Sequence, residues 1–106
     1  MILNFLINRQ NMHLQVQVYK NLLYKEVNEI IYGLDYVLKD CQMFVAAILS
    51  HGREGIFHTR EGKEFKIERF LEKFNNYNCQ ELIGVPKFFI FQACRYASVD
   101  LLTEAL

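Results

Sequence analysis

Lys87-Phe88-Phe89-Ile90-Phe91-Gln92-Ala93-Cys94-Arg95 is the stretch on which the reading of this chain turns. Phe88 to Phe91, led in by Gly84-Val85-Pro86-Lys87, is short, aromatic and β-branched, which reads as a buried strand after a turn. A continuous apolar run suits a central parallel strand covered on both faces. Polarity returns abruptly at Gln92, and a thiol follows at Cys94. In open α/β sheets, ligands bind outside the carboxyl ends of the strands, so that thiol is well sited for chemistry.

Working outward, Phe44-Val45-Ala46-Ala47-Ile48-Leu49 has the same construction and runs into Ser50-His51-Gly52. If the two strands are parallel neighbours, about 4.8 Å apart, His51 and Cys94 emerge at one edge of the sheet. A thiol beside an imidazole is the minimum for a cysteine nucleophile with a proton-transfer partner.

These two motifs carry a resemblance. Gln92-Ala93-Cys94-Arg95 resembles the caspase active-site signature, and Ser50-His51-Gly52, upstream at a suitable distance, resembles the caspase histidine motif. Gly55 and the Gly84-x-Pro86-Lys87 lead-in also fit, and the likeness runs from about Leu14 to Arg95. It implies a three-layer α/β/α fold with a mostly parallel sheet, present here as a partial catalytic domain, residues 1–106, from the large-subunit region. It implies a cysteine endopeptidase that cuts after aspartate, in apoptosis or innate immune signalling. Cys94 is then the nucleophile and His51 the proton-transfer residue. The Gly52 and Cys94 amides form the oxyanion hole, and Gln92 lines the pocket for the substrate aspartate. Arg95 matches a family residue that orders nearby loops.

Tyr96 departs from the pattern, since caspases usually carry Gly there and a Tyr puts bulk where the backbone turns freely. The family's first strand, its small-subunit strands and two substrate-binding arginines also fall outside the matching region. In the family order, His13–Tyr19 is left without its usual neighbour. The alternative is therefore a catalytically inactive caspase-like fragment that acts as an interaction partner or decoy. A nucleotide-binding doubly wound module is disfavoured, because Tyr19-Lys20-Asn21-Leu22 offers no glycine-rich phosphate cradle.

Composition agrees with one domain at most. The 106 residues are 52% hydrophobic, so a core is affordable, and 12 basic residues balance 12 acidic ones. That balance gives no reason to expect a nucleic-acid partner. The expected partners are protein substrates with an aspartate at the cleavage site, a caspase small subunit and a second caspase protomer. Met1–Ile7 is apolar but interrupted by Asn4 and lacks a basic leader, so no signal peptide is read there. No run is long enough to span a membrane. Three widely spaced cysteines do not describe a disulfide framework, and a reducing cytoplasm is expected. Cys41 and Cys79 read as packing residues. No metal site or cofactor is expected, since the Cys and His residues lack ligand spacing.

The remaining elements follow from periodicity. Ile2-Leu3-x-Phe5-Leu6 reads as the tail of a helix, and His13–Tyr19 alternates like a half-buried strand. Asn21 is a candidate cap for a helix over Tyr24–Leu38, completing a βαβ unit with Phe44–Leu49. Ile56–Thr59 and Glu64–Ile67 form a hairpin across Glu61-Gly62-Lys63, followed by a helix over Ile67–Phe74. Asn75–Asn78 reads as a loop and Val99–Leu106 as a frayed helix.

Overall fold

The computed structural model describes residues 1–10, 12–93 and 96–102. Its main sheet has five strands: β1 (Ile2–Arg9), β2 (Gln15–Lys20), β3 (Cys41–Leu49), β7 (Lys87–Ala93) and β8 (Tyr96–Leu102), in the order β2-β1-β3-β7-β8. A smaller sheet is built from β4 (Gly52–Arg53), β5 (Ile56–His58) and β6 (Glu64–Lys66). The helices are α1 (Tyr24–Tyr32) and α2 (Ile67–Lys73).

The α/β class expected from the sequence stands. The sheet, however, is mixed rather than mostly parallel. Only β3 and β7 are parallel neighbours; β1 runs antiparallel to both β2 and β3, and β8 runs antiparallel to β7. Besides β8, the cause is the N-terminal segment, which is a strand and not the tail of a helix. Its apolar residues fit either period, but Leu3, Phe5 and Ile7 are fully buried while Ile2, Asn4 and Leu6 are only partly covered. Strand pairing on both sides, from Ile2↔Lys20 to Ile7↔Gln15 and from Ile2↔Leu49 to Arg9↔Cys41, satisfies its backbone groups. β1 therefore occupies the place beside β2 that the family order would leave empty. β2 and β3 point the same way, as a βαβ unit requires, but with β1 between them.

One face of the sheet carries three cross-strand rows: Tyr19-Leu3-Ile48-Phe91, Gln17-Phe5-Ala46-Phe89 and Gln15-Ile7-Phe44-Lys87. Both helices pack on this face. Val27 and Ile31 of α1 and Phe70 of α2, together with Phe74 just beyond it, join Leu3, Phe5, Phe44 and Phe89 in one core. Aromatic rings dominate it: Phe74 lies 5.0 Å from Phe44 and 5.3 Å from Phe70, in tilted geometry. Such pairs add about 0.5–1.5 kcal/mol each beyond burial. The opposite face has no helix among the described residues, as fits a partial caspase-like domain.

Helix α1 is shorter than its apolar periodicity. It ends at Gly33, whose N–H bonds back to the Glu29 and Ile30 carbonyls. Leu34 and Leu38 are buried all the same, from a turn held by the Val37 and Leu38 N–H groups on the Leu34 carbonyl. Its cap is Leu23, whose N–H donates to the Glu26 carboxylate at 2.9 Å, and not Asn21, which sits at φ 55° ahead of the helix. The β5–β6 hairpin and α2 fall where periodicity puts them, with Gly62 at φ 82° in the turn. Asn75–Asn78 is a loop as read, followed by a single 3-10 turn at Gln80–Leu82. Of the frayed helix expected over Val99–Leu106, the part as far as Leu102 is instead the end of β8, and residues 103–106 lie outside the described residues.

Candidate active site at the carboxyl ends of β3 and β7

β3 and β7 are the two strands that the sequence marked out, and they pair in parallel from Phe44↔Lys87 to Leu49↔Gln92. The pairing continues one step past β3, where the Ser50 N–H donates to the Gln92 carbonyl at 2.9 Å. Their carboxyl ends therefore lie side by side at one edge of the sheet. His51 follows directly and is exposed. β7 ends at Ala93, and Cys94 and Arg95, the next residues in the chain, lie outside the described residues.

Gly52 opens β4. A Cβ added there would lie 2.2 Å from the Ile56 carbonyl oxygen and 3.0 Å from the Phe57 Cα, so the close approach of β5 requires glycine. The ladder also orients its amide. The His58 N–H donates to the His51 carbonyl at 2.8 Å, which makes 51 and 58 a hydrogen-bonded pair. Antiparallel pairs alternate, so Gly52↔Phe57 is a non-bonded pair and the Gly52 N–H points away from β5.

Ser50, quoted in the motif without a role of its own, joins the parts. Its N–H holds β7, and its Oγ donates to the His58 carbonyl at 2.6 Å. The main sheet and the smaller sheet are thus tied together one residue before His51. The only signal for this in the sequence was its position between strand and histidine. Gln92, by contrast, is an exposed strand-end residue whose carbonyl serves the β3–β7 ladder.

The two other cysteines are buried and free. Burial raises the Cys41 thiol above its ordinary pKa. Cys79 is pushed up to about 11, chiefly by burial and further by the Asp35 and Glu81 carboxylates, with Lys73 opposing. Thiols held neutral in this way are poor nucleophiles. Among the described residues, Asp35, Cys79 and Glu81 form one group with ligand-type atoms within 4.8 Å of one another. The Lys73 ammonium already lies 3.1 Å from the Asp35 carboxylate, so this is a neutralised ion pair beside a protonated thiol. Residues 35 and 79 are too far apart in sequence for any spacing motif to have flagged it.

A surface groove of about 630 Å³, lined by Tyr32, Asp35, Arg69 and Lys73 among others, lies at the helical layer and includes no residue of the His51 strand end.

The caspase domain family model matches residues 3–105. The chain belongs to the caspase family. It is 35% identical over 89 residues to caspase-8 of Mus musculus, covering 81% of this chain and 18% of that protein. With caspase-3 of Oryctolagus cuniculus it shares 31% identity over 93 residues, 85% of this chain and 32% of the relative. With caspase-14 of Homo sapiens it shares 46% over 48 residues, 45% of this chain and 20% of the relative. The chain thus spans a third or less of these caspases, and as a caspase domain it is a cysteine-protease relative in part. Among the described residues, no helix is long and apolar enough to cross a membrane.

Proposed function

We propose that this chain is the large-subunit part of a cysteine endopeptidase that cuts after aspartate, acting in the cytoplasm in apoptotic or innate immune signalling. The observation that carries the reading is the parallel pairing of β3 and β7 through Leu49↔Gln92, with the Ser50 N–H on the Gln92 carbonyl beyond it. It sets the strand that leads to His51 beside the strand that leads to Cys94.

In the proposed mechanism the Cys94 thiolate attacks the scissile carbonyl carbon, and the carbonyl π electrons move onto oxygen. The Gly52 and Cys94 N–H groups hold that oxyanion, each donor contributing about 3 kcal/mol to lowering the barrier. The outward direction of the Gly52 N–H supports this role. The intermediate collapses, the C–N bond breaks, and His51 gives its proton to the departing amine. Water then attacks the thioester, with His51 taking its proton, and Cys94 leaves as thiolate. Gln92 lines the pocket for the substrate aspartate. The partners are protein substrates, a caspase small subunit and a second caspase protomer. No step calls for a metal or cofactor.

A second reading, a silent caspase-like partner or decoy, is favoured by one observation. β8 begins at Tyr96 and pairs with β7 from Ala93↔Tyr96 onward, so a bulky residue stands where the family keeps glycine.

The test is a chain extended to the length of the caspases it matches, treated with a peptide electrophile bearing an aspartate side chain. Labelling confined to Cys94, and loss of turnover in Cys94→Ala with unchanged folding, are expected. Turnover retained by Cys94→Ala would overturn the mechanism, and a Cys94 that the electrophile leaves untouched would favour the decoy.

A further inference from the structure

We infer that Glu61 is a positioning residue for His51: its carboxylate ties the β5–β6 turn to the start of α1, and the adjoining β5 holds the main chain of His51. As a statement about catalysis this rests on the protease reading above; as a statement about what holds His51 in place it does not.

The linkage runs through one carboxylate oxygen. Glu61 Oε1 accepts from the Tyr24 N–H and from the Thr59 hydroxyl, each at 2.6 Å. Tyr24 is the first residue of α1, so its N–H is one of the donors that a helix leaves without an internal partner. The helix dipole also favours a carboxylate at that end. Both donors hold the Glu61 carboxyl below the usual carboxylate range, so it is ionised at neutral pH. The Arg60 N–H, donating to the Leu22 carbonyl at 2.8 Å, fastens the same turn to the same helix end. That end is firm, because Val27 and Ile31 of α1 are buried in the core.

Thr59 is buried and follows His58 directly. His58 commits its N–H and its carbonyl to the site: the N–H donates to the His51 carbonyl at 2.8 Å, and the carbonyl accepts from Ser50 Oγ at 2.6 Å. β4, into which His51 leads, is only Gly52–Arg53, so β5 sets its place. A chain of bonds therefore runs from α1 through Glu61, Thr59 and His58 to His51. Proton transfer from His51 needs heavy atoms within about 2.6–3.2 Å, and a misplacement of about 1 Å can cost about a hundredfold in rate.

Hydrogen exchange of the 106-residue chain reads the linkage directly. Glu61→Ala should speed exchange of the His58 amide on the order of fivefold while the amides of β3 keep their wild-type rates. Glu61→Gln keeps an acceptor oxygen and should keep most of the protection. Thr59→Val removes the hydroxyl, should also loosen His58, and stands in if Glu61→Ala fails to fold. Glu72→Ala, which removes an exposed carboxylate from α2, should change none of these rates. In the extended chain, Glu61→Ala should lower kcat on the order of tenfold with KM unchanged, because it displaces a proton donor and no substrate contact. Counting active sites with the aspartate electrophile separates this from a mere loss of folded enzyme, and Glu61→Gln should restore most of the rate. A His58 amide that exchanges no faster in Glu61→Ala and Thr59→Val would overturn the inference. So would His58 and β3 amides that accelerate together, or an unchanged kcat per counted site. A wild type without turnover would count against the protease reading, and the exchange rates would still decide the linkage.

Discussion

Gly52 shows how a motif position can have a local physical reason of its own. The histidine signature asks for glycine beside His51, and the backbone of β5 gives the physical reason: the Ile56 carbonyl oxygen lies where a side chain would begin. Gly52→Ala should push β4 from β5 and cost about 1–3 kcal/mol, read as a drop in the urea midpoint. Cys79 gives a prediction of a different kind. Its thiol loses its proton near pH 9 when unfolded and near pH 11 when folded. The raised folded value means that the buried neutral thiol stabilises the chain fully below pH 9, and that this contribution is lost as pH climbs toward 11. Between those values the wild type should lose stability faster than Cys79→Ala. Parallel slopes for the two proteins would show that the thiol is not held neutral by the fold.

At the scale of elements, α2 fastens the smaller sheet to the main one. Phe70 is fully buried and meets Phe57 of β5 edge-on at 6.3 Å, and Phe89 and Phe91 of β7 edge-on at 6.4 and 6.0 Å. β5 of the smaller sheet and β7, the strand before Cys94, thus share one ring. Phe70→Ala should cost about 3–5 kcal/mol in chemical denaturation, a large part of the 5–15 kcal/mol that holds a typical domain together. A loss below about 1 kcal/mol would mean that the two sheets are held by the Ser50 bonds and not by this ring.

At the scale of the 106 residues taken by themselves, no self-sufficient protease is expected. Purified alone, the chain should show no steady cleavage of an aspartate-containing peptide. In the family, the substrate is held as an added strand beside the small subunit, and arginines beyond the matching region neutralise its aspartate. Without those contacts the scissile bond is not positioned, and positioning supplies roughly 7–11 kcal/mol of the barrier. Steady turnover that tracks the purified chain and disappears when Cys94 is alkylated would refute this.

The sequence by itself determined the strands on which the site rests. Phe44–Leu49 and Phe88–Phe91 are continuous apolar runs that end abruptly, a composition that favours the inner strands of a sheet, so local composition was enough. The β5–β6 hairpin and α2 were legible for the same reason, through Gly62 in the turn and Ile67, Phe70, Leu71 and Phe74 at helical spacing. Tertiary structure alone decided the fate of Ile2–Arg9 and Tyr96–Leu102. Ile2-Leu3-x-Phe5-Leu6 satisfies both the helical and the strand period, and open strand edges on both sides, β2 and β3, settled it. Val99–Leu106 carried too weak a pattern to oppose the free edge of β7, which draws Tyr96–Leu102 into the sheet. Those two strands are what made the sheet mixed. A strand's direction depends on which neighbour's N–H and C=O groups stand open to it, and that is a property of the assembled sheet rather than of any local run of residues.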